Sequence, residues 1–265
     1  MDLGLSGRTV IITGGTSGIG LAAAGIFLDE GARVAICGRN VERLDKVAAD
    51  LGDRPGAGNG NVLARRCDVT KQDDVAAFAR DVESWSGRAD VLINNAGQGQ
   101  MTTFASTTDE QWRHELELKF FSQIYPVRAF QKLLEKSDAA AIVAVNSLLA
   151  YQPEPYMVAT SAARAGVQSL VKSLATEFAP RIRVNSVVLG LIDSGQWERR
   201  FQARENKAQS RDEWIEVLAK SKHIPFGRLG NPAEVARAIV FLASPAASYV
   251  TGSALEISGG VSRFI

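Results

Sequence analysis

The sequence predicts an α/β fold: a single domain, residues 1–265, built on a doubly wound parallel sheet of about seven strands with helices on both faces. Three observations carry that expectation. Short apolar runs alternate with longer amphipathic stretches along most of the chain. The runs lack polar alternation, as strands buried on both faces do. Strand–helix alternation also implies right-handed parallel crossovers, which set helices on either side of the sheet. A chain of 265 residues fits one core of this class.

The strands are expected at 9–13, 33–37, 62–67, 91–94, 140–145, 182–188 and 254–257, with helical stretches between the first six. Several helix ends are legible. Glu30 and Gly31 close the first helix, because glycine accepts the left-handed conformation that ends one. Thr108 with Gln111 forms a capping box, and Asn231, Pro232 and Glu234 supply a cap, a first-turn proline and an acid at the positive end of another helix. Two segments break the rhythm. Residues 52–61 are glycine-rich and read as a surface loop. Residues 193–223 mix Trp197, Phe201, Trp214 and Ile215 with many charges after the sixth strand. Their place at the mouth of the sheet fits a substrate-binding lid, the alternative being a helical hairpin packed on the body.

Charge narrows the function. Thirty Lys and Arg nearly cancel 29 Asp and Glu, so no global field points to nucleic acid or an acidic membrane surface. The first seven residues lack the basic flank and apolar run of a secretion signal, and no uncharged apolar stretch reaches the roughly 18 residues of a membrane span. A cytoplasmic location is the expectation. Cys37 and Cys67 lack metal-ligand spacing and read as packed, reduced thiols, and no metal site is expected. His114 and His223 are not placed as a metal pair, and Ser147 has no G-x-S-x-G elbow around it to support a hydrolase triad.

The first strand runs into Thr13-Gly14-Gly15-Thr16-Ser17-Gly18-Ile19-Gly20 and then a helix. Glycines at 14, 18 and 20 permit a tight turn and close approach of backbone to a pyrophosphate. The helix start adds N–H groups and a positive dipole end. A strand before and a helix after make this a Rossmann-like dinucleotide loop.

The loop resembles the TGxxxGxG motif of the short-chain dehydrogenase/reductase family, and further motifs follow in order. Asp68-Val69 is similar to the family's adenine-contacting pair, and Asn94-Asn95-Ala96-Gly97 to its NNAG motif. Ser147 ends the fifth strand, Arg183-Val184-Asn185 lies in the sixth, and Gly227-Arg228, Thr251-Gly252 and Gly259-Gly260 match its C-terminal region. Nearly the whole chain is covered. The resemblance implies cofactor contacts at Gly14, Thr16, Ser17, Gly18, Ile19, Gly20, Asp68, Val69, Asn95, Ala96, Gly97, Gly190 and Ile192. Leu189-Gly190 stands where the family has Pro-Gly. The resemblance also implies a homodimer or homotetramer, assembled through the helices around 109–136 and 156–178 and the C-terminal region.

The choice between nicotinamide cofactors is made just after the second strand, where an acid would bind the ribose hydroxyls of NAD. Here the segment is Cys37-Gly38-Arg39-Asn40. With no acid and a guanidinium able to grip a phosphate, NADP(H) is the expected cofactor and Arg39 its selector.

The reaction centre departs from the family. There, a serine is followed thirteen positions later by a tyrosine and four beyond that by a lysine; counting from Ser147 gives Thr160 and Arg164. The register is fixed by Leu170, Ser173, Leu174 and Ala175, which match the downstream helix without a gap. The asparagine expected seven residues after Trp112 is Lys119. Residues 160 and 164 share a helix face, and Ala163, Val167, Leu170, Leu174 and Phe178 are expected to form the apolar stripe. An aliphatic hydroxyl cannot be tuned to exchange protons near neutrality as a phenol can, so Thr160 is a poor general acid by itself. Arg164 is expected to bond the nicotinamide ribose and supply positive potential. If Lys119 points inward, burial and Arg164 would lower its pKa into a useful range, making it the proton donor while Ser147 polarises the acceptor. The alternative is a Lys119 that points to solvent or pairs with Glu115 or Glu117. Tyr151 and Tyr156 lie in the intervening loop and are secondary candidates.

The resemblance thus implies an NADP(H)-dependent oxidoreductase moving hydride to or from a small carbonyl, alcohol or enone. A noncatalytic NADPH-binding sensor or assembly protein, and nonredox lyase or dehalogenase-type chemistry, remain as alternatives.

Overall fold

The computed structural model describes residues 2–54, 58, 60–204 and 207–264. Seven strands form one sheet in the order β3-β2-β1-β4-β5-β6-β7, and every pairing is parallel. They are β1 Thr9–Thr13, β2 Arg33–Gly38, β3 Val62–Arg66, β4 Val91–Asn94, β5 Ala140–Ser147, β6 Ile182–Leu189 and β7 Ala254–Ile257. The helices are α1 Gly18–Asp29, α2 Val41–Gly52, α3 Gln72–Ser86, α4 Asp109–Leu116, α5 Ser122–Leu134, α6 Val158–Glu177, α7 Gly195–Gln202, α8 Arg211–Ser221 and α9 Pro232–Ala243.

Strand β1 shows why the sheet is apolar throughout. Successive side chains point to opposite faces, and both faces are covered. Val10 and Ile12 join Phe27 of α1, Val47 of α2 and Val235 of α9, whereas Ile11 joins Phe78 of α3, Phe130 of α5 and Val167 of α6. The strand order reverses direction between β1 and β4, which opens a crevice at their carboxyl ends where open α/β sheets bind ligands.

The capping box expected at Thr108 is formed, the cap expected at Asn231 is present and makes a box with Glu234 as well, and Gly31 takes a φ of 76° just past α1. Several boundaries differ from the sequence reading. β5 continues to Ser147 because its pairing with β6 persists to Leu189. Gly52 belongs to α2, and residues 55–57 and 59 of the expected loop lie outside the described residues. The long helix expected over 109–136 is divided by a π-helical turn at Glu117–Phe121, between α4 and α5. On α6 the fully buried positions are Ala159, Thr160, Ser161, Ala163, Val167, Val171 and Ala175, while Leu170 is only partly covered. On a helix of about 3.6 residues per turn each four-residue step from 163 advances by about 40°, so the buried row through 167, 171 and 175 winds slowly round α6.

The segment after β6 forms a helical pair, α7 and α8. Trp214 meets Trp197 and Phe201 at ring distances of 6.2 and 5.7 Å, and Arg211 grips Asp193 and Glu198. Ala219, Ile224 and Leu229 give this region a small core of its own.

Candidate active site

The crevice is built from the carboxyl ends of β1, β2, β4 and β5. Behind β1, Gly14 and Gly18 adopt φ values of 66° and 55°, a region where a Cβ would be strained. A Cβ on Gly20 would lie 2.5 Å from both the Gly14 carbonyl oxygen and Asn95 Nδ2, so only glycine lets α1 start this close to the loop. The side chain of Ser17 does not cap α1, leaving the first amides of the helix open to an anion.

Asn95 ties the loop after β4 to the glycine loop. Its Nδ2 donates to the carbonyls of Thr13 and Gly14 at 3.0 Å each, while the backbone amides of Asn95 and Ala96 donate to Thr13 Oγ1. The loop after β4 therefore braces the glycine loop. Thr16 leans on the end of β2, where a Cβ on Gly38 would come within 2.9 Å of its Cγ2. That contact sets Arg39 beside the glycine loop. Arg39 is exposed and, among the described residues, its guanidinium makes no hydrogen bond. Asp68 follows β3. Burial pushes its carboxyl up, but Thr70's N–H and hydroxyl, with Arg39 and Lys71 nearby, hold it below the usual range. Val69 is buried next to it. On the far side, Gly190 donates to the Ile257 carbonyl and has room for no side chain against Ser258, and Ile192 bridges to Gly230. A dinucleotide fits these residues: the open α1 amides suit its pyrophosphate, and the free Arg39 suits an added phosphate.

Four polar side chains meet between α4, the π-turn, α6 and the loop after β4. Lys119 lies inside the π-turn, a wider winding that places this residue toward the interior, and it is only 1% exposed. Its Nζ donates to the Gln98 carbonyl and stands 3.6 Å from Glu115 Oε1. Glu115, 2% exposed, accepts a hydrogen bond from Thr160 Oγ1 through its other oxygen. Arg164 donates through Nη1 to the Val145 carbonyl at 2.7 Å, and among the described residues its buried Nε has no partner. The carbonyl of Arg164 in turn accepts from Asn146 Nδ2. Ser147, the last residue of β5, accepts from the Leu149 amide through Oγ.

Electrostatics follow from this packing. Burial, then the positive charge of Arg164, lower the Lys119 pKa to about 8 against the opposing pull of Glu115. Burial likewise lowers Arg164 to about 10, again opposed by Glu115, and leaves it charged near neutrality. Both sequence alternatives for Lys119 are thus met together, since it points inward and also pairs with Glu115.

Other residues fall outside the cluster. Tyr156 OH is 3.0 Å from Lys222 Nζ, which also sits over its ring, and Tyr151 stacks on Phe264 at 4.9 Å. Both cysteines are buried and free, both histidines are exposed, and no metal-holding group occurs among the described residues.

Comparison with known proteins bears on the family, the fold and the cofactor. A family model described as enoyl-(acyl carrier protein) reductase matches residues 14–262. The chain belongs to the short-chain dehydrogenase/reductase family. Within that family it is 54% identical to an NADPH-bound short-chain oxidoreductase from Pseudomonas aeruginosa PAO1 described as containing an atypical catalytic center; 97% of this chain and 98% of that one align at a TM-score of 0.91. L-sorbose reductase from Gluconobacter frateurii, in complex with NADPH and L-sorbose, is 33% identical over 100% of both chains with a TM-score of 0.95. A 3-oxoacyl-[acyl-carrier-protein] reductase from Chlamydia muridarum is 32% identical over 97% of this chain and 98% of its own.

Proposed function

We propose that this short-chain family member is an NADP(H)-dependent oxidoreductase acting on small carbonyl, alcohol or enone substrates, with Lys119 as the source of the proton. The observation that carries the proposal is the enclosed Lys119 ammonium facing Arg164, poised at about 8 where an ordinary lysine sits near 10.5. A group with that value is largely protonated at neutrality yet releases its proton readily.

When bound, NADP(H) supplies or takes the hydride. The chain supplies the rest. The α1 amides and glycine loop hold the pyrophosphate, and Arg39 grips the phosphate that separates NADPH from NADH. Arg164 keeps positive potential at the reacting end, anchored through Nη1 on the Val145 carbonyl, and is the residue placed to bond the ribose. Ser147 uses its hydroxyl proton to polarise the substrate oxygen, since its observed bond is one in which Oγ accepts. Thr160 and Arg164 occupy the places of the family's tyrosine and lysine, and among the described residues no phenol is bonded into the buried cluster. Activated carbonyls and conjugated double bonds, which need little acid assistance, therefore fit this centre better than simple alcohols. The α7–α8 pair serves as the substrate lid: Gln196 of α7 comes near Gly99 and Met157, beside the cluster.

Assembly as a homodimer or homotetramer in the cytoplasm is part of the same proposal. It is supported by the exposed β7 edge strand and by Tyr249 and Leu255 at that end. No helix among the described residues is long and apolar enough to cross a membrane.

The test is NADPH absorbance followed across a panel of activated ketones, diketones and enones. Sustained oxidation of NADPH with at least one of them is expected. Tight NADPH binding with no turnover on the whole panel would favour a sensor and overturn the enzymatic reading.

A further inference from the structure

We propose that Glu115 is a positioning residue that wires Lys119 to Thr160, so that Thr160 delivers the proton to the substrate and Lys119 replaces it through the carboxylate. The proposal rests on the reading of Lys119 as proton source and goes beyond it, because the sequence reading assigned Glu115 no part in the chemistry.

The three side chains lie in a row, joined by one hydrogen bond and one longer ion-pair contact. Thr160 Oγ1 donates to one oxygen of Glu115, and Lys119 Nζ lies 3.6 Å from the other. All three residues are enclosed, with exposures of 3%, 2% and 1% for Thr160, Glu115 and Lys119. Lys119 is held in place by the Gln98 carbonyl to which it donates. The threonine stands on the helix that also carries Arg164, four residues away, toward the reacting end. A hydroxyl holds one proton; at rest Thr160 donates it to Glu115, with the Gln100 carbonyl 3.4 Å away, so delivery in reduction requires the hydroxyl to turn from the carboxylate to the substrate oxygen.

The transfer balances as follows. As hydride reaches the carbonyl carbon, the developing alkoxide takes the proton from Thr160 Oγ1, forming its O–H bond while that of Thr160 breaks. Lys119 first protonates Glu115, breaking one N–H bond, and the carboxyl turns to present that proton to Thr160, which takes it as its own goes to the substrate. At the end Thr160 is again a hydroxyl, Glu115 again a carboxylate, and Lys119 a neutral amine that regains its proton from solvent between turnovers. In oxidation every step runs backwards. A threonine that cannot act as an acid by itself thus acts as the last link of a relay. The ionisable groups that act on Lys119 are Glu115 from α4 and Arg164 from α6. The first raises and the second lowers its affinity for a proton.

Glu115→Gln keeps the size and hydrogen-bonding reach of the side chain but can neither relay a proton nor offset the Lys119 charge. Two measurements decide the matter, each made beside Lys119→Met. The first is a nitrogen NMR titration of Lys119 Nζ in the NADPH-loaded protein. Its midpoint is expected to move from about 8 downward by about one pH unit or more in Glu115→Gln, because the one favourable charge is gone. The second is kcat with the best ketone of the panel above. Glu115→Gln and Thr160→Val are each expected to lose about tenfold or more, with no further loss when combined, and Thr160→Ser to retain activity. Unchanged NADPH affinity in each variant excludes a folding defect. If Lys119→Met is inactive while Glu115→Gln keeps the wild-type rate, or if the two losses multiply, the relay is overturned and the Lys119 reading stands. If Lys119→Met is fully active, or the wild type turns over no ketone, both fall.

Discussion

Replacing Lys119 with Met is expected to lower kcat for ketone reduction by roughly 100- to 1000-fold while leaving the NADPH dissociation constant within about twofold. The side chains have similar length, so the enclosed space beneath Gln98 stays filled. What disappears is the only ammonium bonded into the buried cluster among the described residues. Arg164 remains, but its guanidinium is held at about 10 and does not exchange protons at working pH. Lys119→Arg makes the complementary control, because it preserves charge and withholds the proton, and is expected to be nearly as slow. Lys119→Met also leaves Glu115 buried without its nearest cation, a loss of about 3 kcal/mol in unfolding free energy by urea denaturation. That destabilisation is readable separately from the rate at temperatures where both proteins are folded. A variant with wild-type kcat would remove Lys119 from the chemistry.

Replacing Arg39 with Ala is expected to weaken NADPH binding by about 2 kcal/mol, roughly 30-fold, and to leave NADH binding unchanged. The argument is the state of this side chain. It stands beyond the end of β2, beside the glycine loop, exposed and without a hydrogen bond among the described residues. A guanidinium with no partner to release loses little when it closes on a phosphate, and its removal costs the full charge-assisted contact. Fluorescence titration of both nucleotides against wild type and variant gives the ratio directly. An unchanged ratio would mean that selection lies elsewhere.

Much of the fold was legible before any coordinates, because the signals for it are local. Apolar runs gave the strands to within two residues, and the caps at Thr108 and Asn231 are formed by the residues that announce them. The boundaries that shifted are those set by long-range pairing: β5 reaches Ser147 only because β6 continues beside it. The dinucleotide loop was legible for the same local reason. Its brace by Asn95 was not, since an amide at the end of β4 bonding carbonyls 81 residues earlier has no signature in spacing.

The reacting end was only half legible. Thr160, Arg164 and Lys119 were found by counting, but which way Lys119 points could not be read, because a π-turn shifts the face that a 3.6-residue period assigns. Glu115 was passed over as a surface partner for Lys119. The i,i+4 spacing was visible, and exposed pairs at that spacing are common. What marks this pair is burial supplied by α6, which no short-range pattern encodes. Tyr156 shows the same limit: its lysine arrives from residue 222, across the α7–α8 segment.

The most direct test of a lysine-derived proton is the pH dependence of kcat for NADPH-driven ketone reduction in the wild-type enzyme. Reduction requires the ammonium, which is present below the Lys119 pKa and lost above it, so kcat is expected to be level near neutrality and to fall tenfold per pH unit above about 8. The reverse oxidation should rise over the same range. A reduction rate that stays level to about pH 10, where an ordinary lysine is still charged, would contradict the account.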